Sequence, residues 1–109
     1  MTVRELIERT GLTAAALPED DREITGVYMG DLLSWVMGRA RSGDAWITIM
    51  SNQNIVAVAT LADTACVILA EGVQPDEGVA ALAEQKGINL LCSPHSAYDT
   101  AMLLRDGGL

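Results

Sequence analysis

Four short polar segments each follow an apolar run. They are Gly30-Asp31 after "ITGVYM", Ser51-Asn52-Gln53-Asn54 after "AWITIM", Glu71-Gly72 after "ACVILA", and Ser93-Pro94-His95-Ser96 after "INLLC". Amides, hydroxyls and a single imidazole hydrogen-bond a small polar ligand. If the apolar runs are parallel strands, ligands bind at their carboxyl ends, and these segments gather along one edge. Asn52, Asn54, Ser93, His95, Ser96, Gly30 and Asp31 are therefore the candidate ligand-binding residues. Helix starts at Asn52 to Asn54 and at Ser93 to Ser96 would aim backbone N–H groups at the same edge, a modest attraction for an anion. Plain helix capping and turns use the same residue types.

No other set in the chain carries chemistry. His95 is the only histidine, so it makes neither a metal site nor, lacking a Ser or Cys nucleophile pattern, a triad. There is no Gly-rich loop ending in Lys-Ser or Lys-Thr, and no dinucleotide fingerprint. The paired carboxylates of "EDDRE" read as a solvated turn before they read as an acid–base pair. No catalytic residue, metal ligand or cofactor is implied.

These loops need elements to hold them. "TVRELIERTG" predicts a helix: Thr2 caps it, Glu5 completes a capping box, and Gly11 stops it. "LTAAAL" (12–17) is a short strand or a loose continuation, and "PEDD" (18–21) a turn. "REITGVYM" reads as a strand interrupted by Gly26. Asp31 then caps a helix that carries Leu32, Leu33, Trp35, Val36 and Ala40. Trp35 belongs to the core or, together with Met37, to a dimer seam. "AWITIM" (45–50), "ACVILA" (65–70) and "INLLC" (88–92) predict buried strands. "IVAVATLAD" (55–63) and "DEGVAALAEQKG" predict crossover helices, and a last helix has Ser93 at its cap, Pro94 in its first turn and its end near Arg105. Alternating short strands and helices imply an α/β fold with a mainly parallel sheet covered on both faces, a single domain over 1–109.

Composition narrows the partners. Fifteen acids against seven scattered bases give a net charge of −8, which opposes nucleic acid and anionic membranes. No stretch reaches the roughly 18 apolar residues of a membrane span, and no signal peptide is visible. Cys66 and Cys92 sit inside apolar runs, as reduced buried thiols do in a cytosol. The expected location is cytoplasmic.

"DREITGVYMGDLLSW" resembles the signature of the DRTGG domain. Asp21-Arg22 match its start and Thr25-Gly26 its Thr-Gly; Glu23-Ile24 are inserted, and Val27 replaces a second glycine. "SPHSAYDTA" is similar to the family's closing segment at Ser93, Tyr98, Asp99 and Thr100, with "GDAWIT", "IVAVATLAD" and "ACVILAEG" fitting between. The resemblance implies a three-layer α/β/α fold like the amino-terminal domains of HPr kinase/phosphorylase and, more distantly, Mur ligases. It also implies a regulatory or assembly module, found beside CBS pairs and in some phosphotransacetylases, with no catalytic residues to carry over. Stand-alone copies are similar to small clostridial-type proteins, some grouped with redox-enzyme genes.

Two functions follow. The first is a non-catalytic regulatory module that self-associates, most simply as a homodimer, and serves a larger metabolic or redox enzyme as protein partner. The second is a sensor for a nucleotide or small anionic metabolite at the strand ends. Electrostatics oppose the second, because no Lys or Arg lies in those loops.

Overall fold

The computed structural model describes residues Met1–Leu109. Ten elements follow in the order α1 (Val3–Thr10), β1 (Thr13–Ala16), β2 (Gly26–Met29), α2 (Leu33–Arg39), β3 (Asp44–Thr48), α3 (Asn54–Ala62), β4 (Cys66–Leu69), α4 (Val79–Lys86), β5 (Leu90–Cys92) and α5 (Ala97–Asp106). The five strands form one sheet in the order β1-β5-β4-β3-β2. The four strands from β2 to β5 are parallel, and β1 runs antiparallel to β5 with an irregularity between Ala14 and Ala16. "LTAAAL" is thus an edge strand.

Strand order explains the layers. Each step from β2 to β5 moves one place in the same direction. Crossovers of a fixed right hand then lay every connecting helix on one face. Val36, Ile55, Val58, Ala59, Val79 and Ala83 of α2, α3 and α4 pack there against Trp46, Val67, Leu69 and Leu90. Alternate strand residues, Ala45, Ile47, Cys66, Ile68 and Leu91, turn to the other face. There they meet Val3 and Leu6 of α1 and Leu104 of α5. All residues of β3, β4 and β5 are buried, as two covered faces require. The three-layer α/β/α architecture expected from the sequence is present.

Local chemistry sets the ends of the helices. The capping box at α1 forms as predicted, with Thr2 and Glu5 exchanging bonds and Gly11 closing the helix at φ 72°. Three expectations are corrected. The α2 start has no side-chain cap, because Asp31 turns to the neighbouring strand instead. The α5 cap is Ser96, not Ser93, because the Ser93 hydroxyl is buried against Thr100 Oγ1 at 2.8 Å. The expected strand from Arg22 is shortened to Gly26–Met29.

Both cysteines are free and buried. Burial pushes the Cys66 thiol up to about 12 and raises Cys92 as well. The thiolate is the reactive form, so the folded protein should leave a disulfide reagent such as Ellman's unreacted at neutral pH. Two thiols should appear on unfolding in urea. Rapid labelling of the native chain would contradict this burial.

No helix is long and apolar enough to cross a membrane.

Candidate functional site

The seven candidate residues lie on one rim, at the carboxyl ends of the parallel strands. Gly30 and Asp31 follow β2, Asn52 and Asn54 lie between β3 and α3, and Ser93, His95 and Ser96 lie between β5 and α5. Neighbouring loops are stitched together. Trp46 Nε1 donates to the Gly30 carbonyl at 2.9 Å. Asp31 Oδ1 accepts from Thr48 Oγ1 at 2.8 Å and from the Ile49 amide at 3.0 Å. Ser51 Oγ donates to Asp76 Oδ1 at 2.8 Å. The Glu71 and Gly72 amides donate to the carbonyls of His95 and Ser93.

The rim's own side chains take up part of its hydrogen-bonding capacity. Asn52 Oδ1 accepts from the Asn54 amide at 2.8 Å, which satisfies one of the free N–H groups at the start of α3. At α5, Ser96 accepts from Asp99 N, and Glu71 Oε2 accepts from Ala97 N at 2.8 Å. A carboxylate of the protein thus already occupies the helix end that an anion would use. Glu71 holds this position at φ 62°, a left-handed conformation unusual for a side chain other than glycine. Counting Asp31 and Asp76, three carboxylates stand on this rim.

The rim residues do not converge on one hollow. Asn54 lines a groove of about 470 Å³ between α3 and α4, with Val56, Leu61, Leu82 and Lys86. Ser93 lines a smaller one of about 340 Å³ beside β1, with Thr13, Gly72 and Cys92. A third hollow, of about 490 Å³, lies at the opposite end of the strands. Thr25, Gly26, Val27, Tyr28, Arg39, Arg41 and Asp44 line it.

The segment leading into β2, from Asp21 to Gly26, builds that opposite end. Arg22 reaches across to Asp63, with Nη1 at 3.1 Å from Oδ1 and Nη2 at 2.9 Å from the carbonyl. Asp63 closes α3 at φ 58° and also accepts from Ser42 Oγ. The Ser42 hydroxyl, and then the Arg22 guanidinium, hold its carboxyl below the usual range. That small contribution is present above the ordinary carboxylate pKa and is lost as the pH falls below it through the lowered value of the folded state. Gly26 lies against Asp44, where an added Cβ would meet Oδ1 at 2.5 Å. Asp44 cannot swing away freely, because its other oxygen accepts from the Arg41 amide at 2.8 Å. Gly26→Ala should therefore cost about 1–3 kcal/mol through overpacking, read as a lower urea midpoint. A neutral result would show that Asp44 gives way.

Sequence reasoning named Trp35 and Met37 as a seam, second to a place in the core, but not the exposed Val27, Met29 and Leu32. Trp35, weighed first as core, is 51% exposed, with the Arg39 guanidinium 3.7 Å from its ring centre. Leu32 and Met37 are exposed on the same segment, Val27 and Met29 on the other face of the sheet, and Ile49 emerges after β3. Five of the nine exposed large apolar side chains thus come from β2, α2 and the turn between them. The sequence signal was the density of apolar residues over 27–37, more than one helix face needs.

The rim, the three-layer sheet and the knot at Arg22, Thr25 and Gly26 together define a small α/β module. The DRTGG domain model matches residues 11–106, and the chain belongs to the DRTGG domain family. No curated protein matches the chain. Among solved structures, the fold is similar to the CBS and DRTGG domains of the regulatory region of Clostridium perfringens pyrophosphatase, determined in complex with its activator, diadenosine tetraphosphate. The TM-score is 0.72 at 15% identity. The match covers 94% of this chain and 45% of that one, so this chain spans less than half of that regulatory region.

Proposed function

We propose that the protein is a non-catalytic regulatory module that acts through protein contact, associating with itself and with a larger metabolic or redox enzyme. DRTGG domains are regulatory. The observation that carries the reading is the exposure, along the β2 edge, of Val27 and Met29 on one face of the sheet and of Leu32, Trp35 and Met37 in and before the helix on the other. Exposed apolar surface of this kind marks an interaction surface. The strand-end rim offers less, since two free amides at the start of α5, those of Ala97 and Asp99, already meet Glu71 and Ser96. Buried reduced thiols fit a cytoplasmic setting.

Sedimentation velocity over a concentration series tests this reading, followed in parallel by tryptophan emission. Trp46 is fully buried, so any blue shift with concentration reports Trp35. Self-association should raise the mass and shift the emission together. An unchanged mass and spectrum would remove the self-associating part and leave only the larger enzyme as partner.

A second reading keeps the rim as a site for a nucleotide or small anionic metabolite, at Gly30, Asp31, Asn52, Asn54, Ser93, His95 and Ser96. The observation in its favour is the nucleotide activator bound by the pyrophosphatase regulatory region. The carboxylates of Asp31, Glu71 and Asp76 on the same rim weigh against it.

A further inference from the structure

The edge strand β2 is bare. It pairs with β3 on one side and with nothing on the other. Such an edge presents unpaired N–H and C=O groups, and proteins usually blunt it by keeping it short or with Lys, Pro or a bulge. β2 is short, but Gly26, Val27, Tyr28 and Met29 include no Lys, no Pro and no bulge. Val27 and Met29 stand on one face at alternate positions, 36% and 54% exposed.

The two ends of this short strand carry opposite charge. At the Gly26 end, Arg39 and Arg41 line the hollow beside Thr25, Tyr28 and the single carboxylate of Asp44. Neither arginine forms an ion pair within the chain, whose three ion pairs involve Met1, Arg4 and Arg22. At the Met29 end stands Asp31, exposed and without a cation, its Oδ1 accepting from Thr48 and Ile49 at the end of β3 and its other oxygen without a partner. A strand that is positive at one end and negative at the other is complementary to itself when a copy runs antiparallel to it. A two-fold axis produces that arrangement, with the same patch used on both subunits. An unrelated partner would have no reason to mirror it.

We propose that β2 pairs antiparallel with β2 of a second copy, so that Arg39 and Arg41 of each chain face Asp31 of the other. The two sheets then join into one continuous sheet. Val27 and Met29 of both copies then lie side by side across the seam, on the face opposite α2. The inference rests on the reading of the domain as a module that works through protein contact, and it names the surface and the occupant.

The test is sedimentation equilibrium of the whole chain. Wild type should run at twice the 11.6 kDa of the chain. Val27→Lys/Met29→Lys should run as a monomer with an unchanged circular dichroism spectrum. Arg39→Glu/Arg41→Glu alone and Asp31→Arg alone should each dimerise at least about tenfold more weakly, since like charges then face each other. An equimolar mixture of these two variants restores opposite charges at both contacts and should recover the dimer. The mixture decides even if the lysine variant fails to fold. A dimer that the lysine variant leaves intact, or a mixture with no recovery, would overturn the β2 pairing while leaving self-association standing. A wild-type monomer at every concentration would overturn the pairing and leave only the larger enzyme as partner.

Discussion

Trp46→Ala is expected to remove most of the domain's stability. The indole is completely buried at the centre of the sheet, on the face covered by α2, α3 and α4. The chain contains no Phe, and its only other Trp is half-exposed, so no comparable side chain can fill the space. Truncating a buried Trp to Ala costs about 3–5 kcal/mol. The change also removes the bond from Nε1 to the Gly30 carbonyl, which fixes the turn between β2 and α2. Against a total of about 5–15 kcal/mol for a typical domain, that loss is a large fraction. Urea unfolding followed by circular dichroism should show the midpoint falling far below wild type. Trp46→Phe keeps most of the volume and should lose roughly 1 kcal/mol for the missing hydrogen bond. Equal losses for Ala and Phe would mean that the indole N–H, and not the packing, dominates.

The second large effect is expected at Asn89, which is 2% exposed. Its Nδ2 donates to the carbonyls of Glu19 and Ala65 at 2.7 and 2.9 Å, and its Oδ1 accepts from the Glu19 amide at 3.0 Å. One side chain therefore ties the turn after β1 to the starts of β4 and β5. Asn89→Leu keeps similar bulk and leaves the Glu19 amide and the Ala65 carbonyl without this partner, while the Glu19 carbonyl keeps the Arg22 amide. A buried unsatisfied group costs about 1–3 kcal/mol, and water can recover part of the loss at Glu19, so the net expectation is about 2–4 kcal/mol. Hydrogen exchange should also speed up at the Glu19 amide. Unchanged exchange there would show that another contact holds the turn.

Much of this was readable because it is local. The Thr2–Glu5 capping box, the stop at Gly11 and the continuous apolar runs of β3 and β4 are patterns of neighbouring residues, and local physics decides them. The DRTGG resemblance was likewise carried by the order of short motifs. What failed depends on contacts between segments far apart in the chain. Ser93 and Ser96 are equally good caps in sequence, and only the position of Thr100 decides that Ser93 turns inward. Asp31 precedes a helix and looks like its cap, but a nearby β3 end offers Thr48 Oγ1 and the Ile49 amide. Trp35 sits in an amphipathic run whose outer face is recognisable only once the sheet has an edge. The candidate rim was legible through the strand-end rule. The carboxylates that fill its donors were not, because Glu71 meets Ala97 across 26 residues.

The central claim is that the module works through protein contact and not by holding an anion on the rim. A thermal-shift series of the purified chain with diadenosine tetraphosphate, nucleotides, nucleotide sugars and acyl phosphates tests it most directly, with Asn52→Ala/Asn54→Ala alongside. A ligand at 100 times its dissociation constant would add about 2.7 kcal/mol, or about 10 °C or more in a domain of this size. The account predicts no such shift for any of these compounds. A shift of that size, lost in the double variant, would contradict it and make the rim a ligand site.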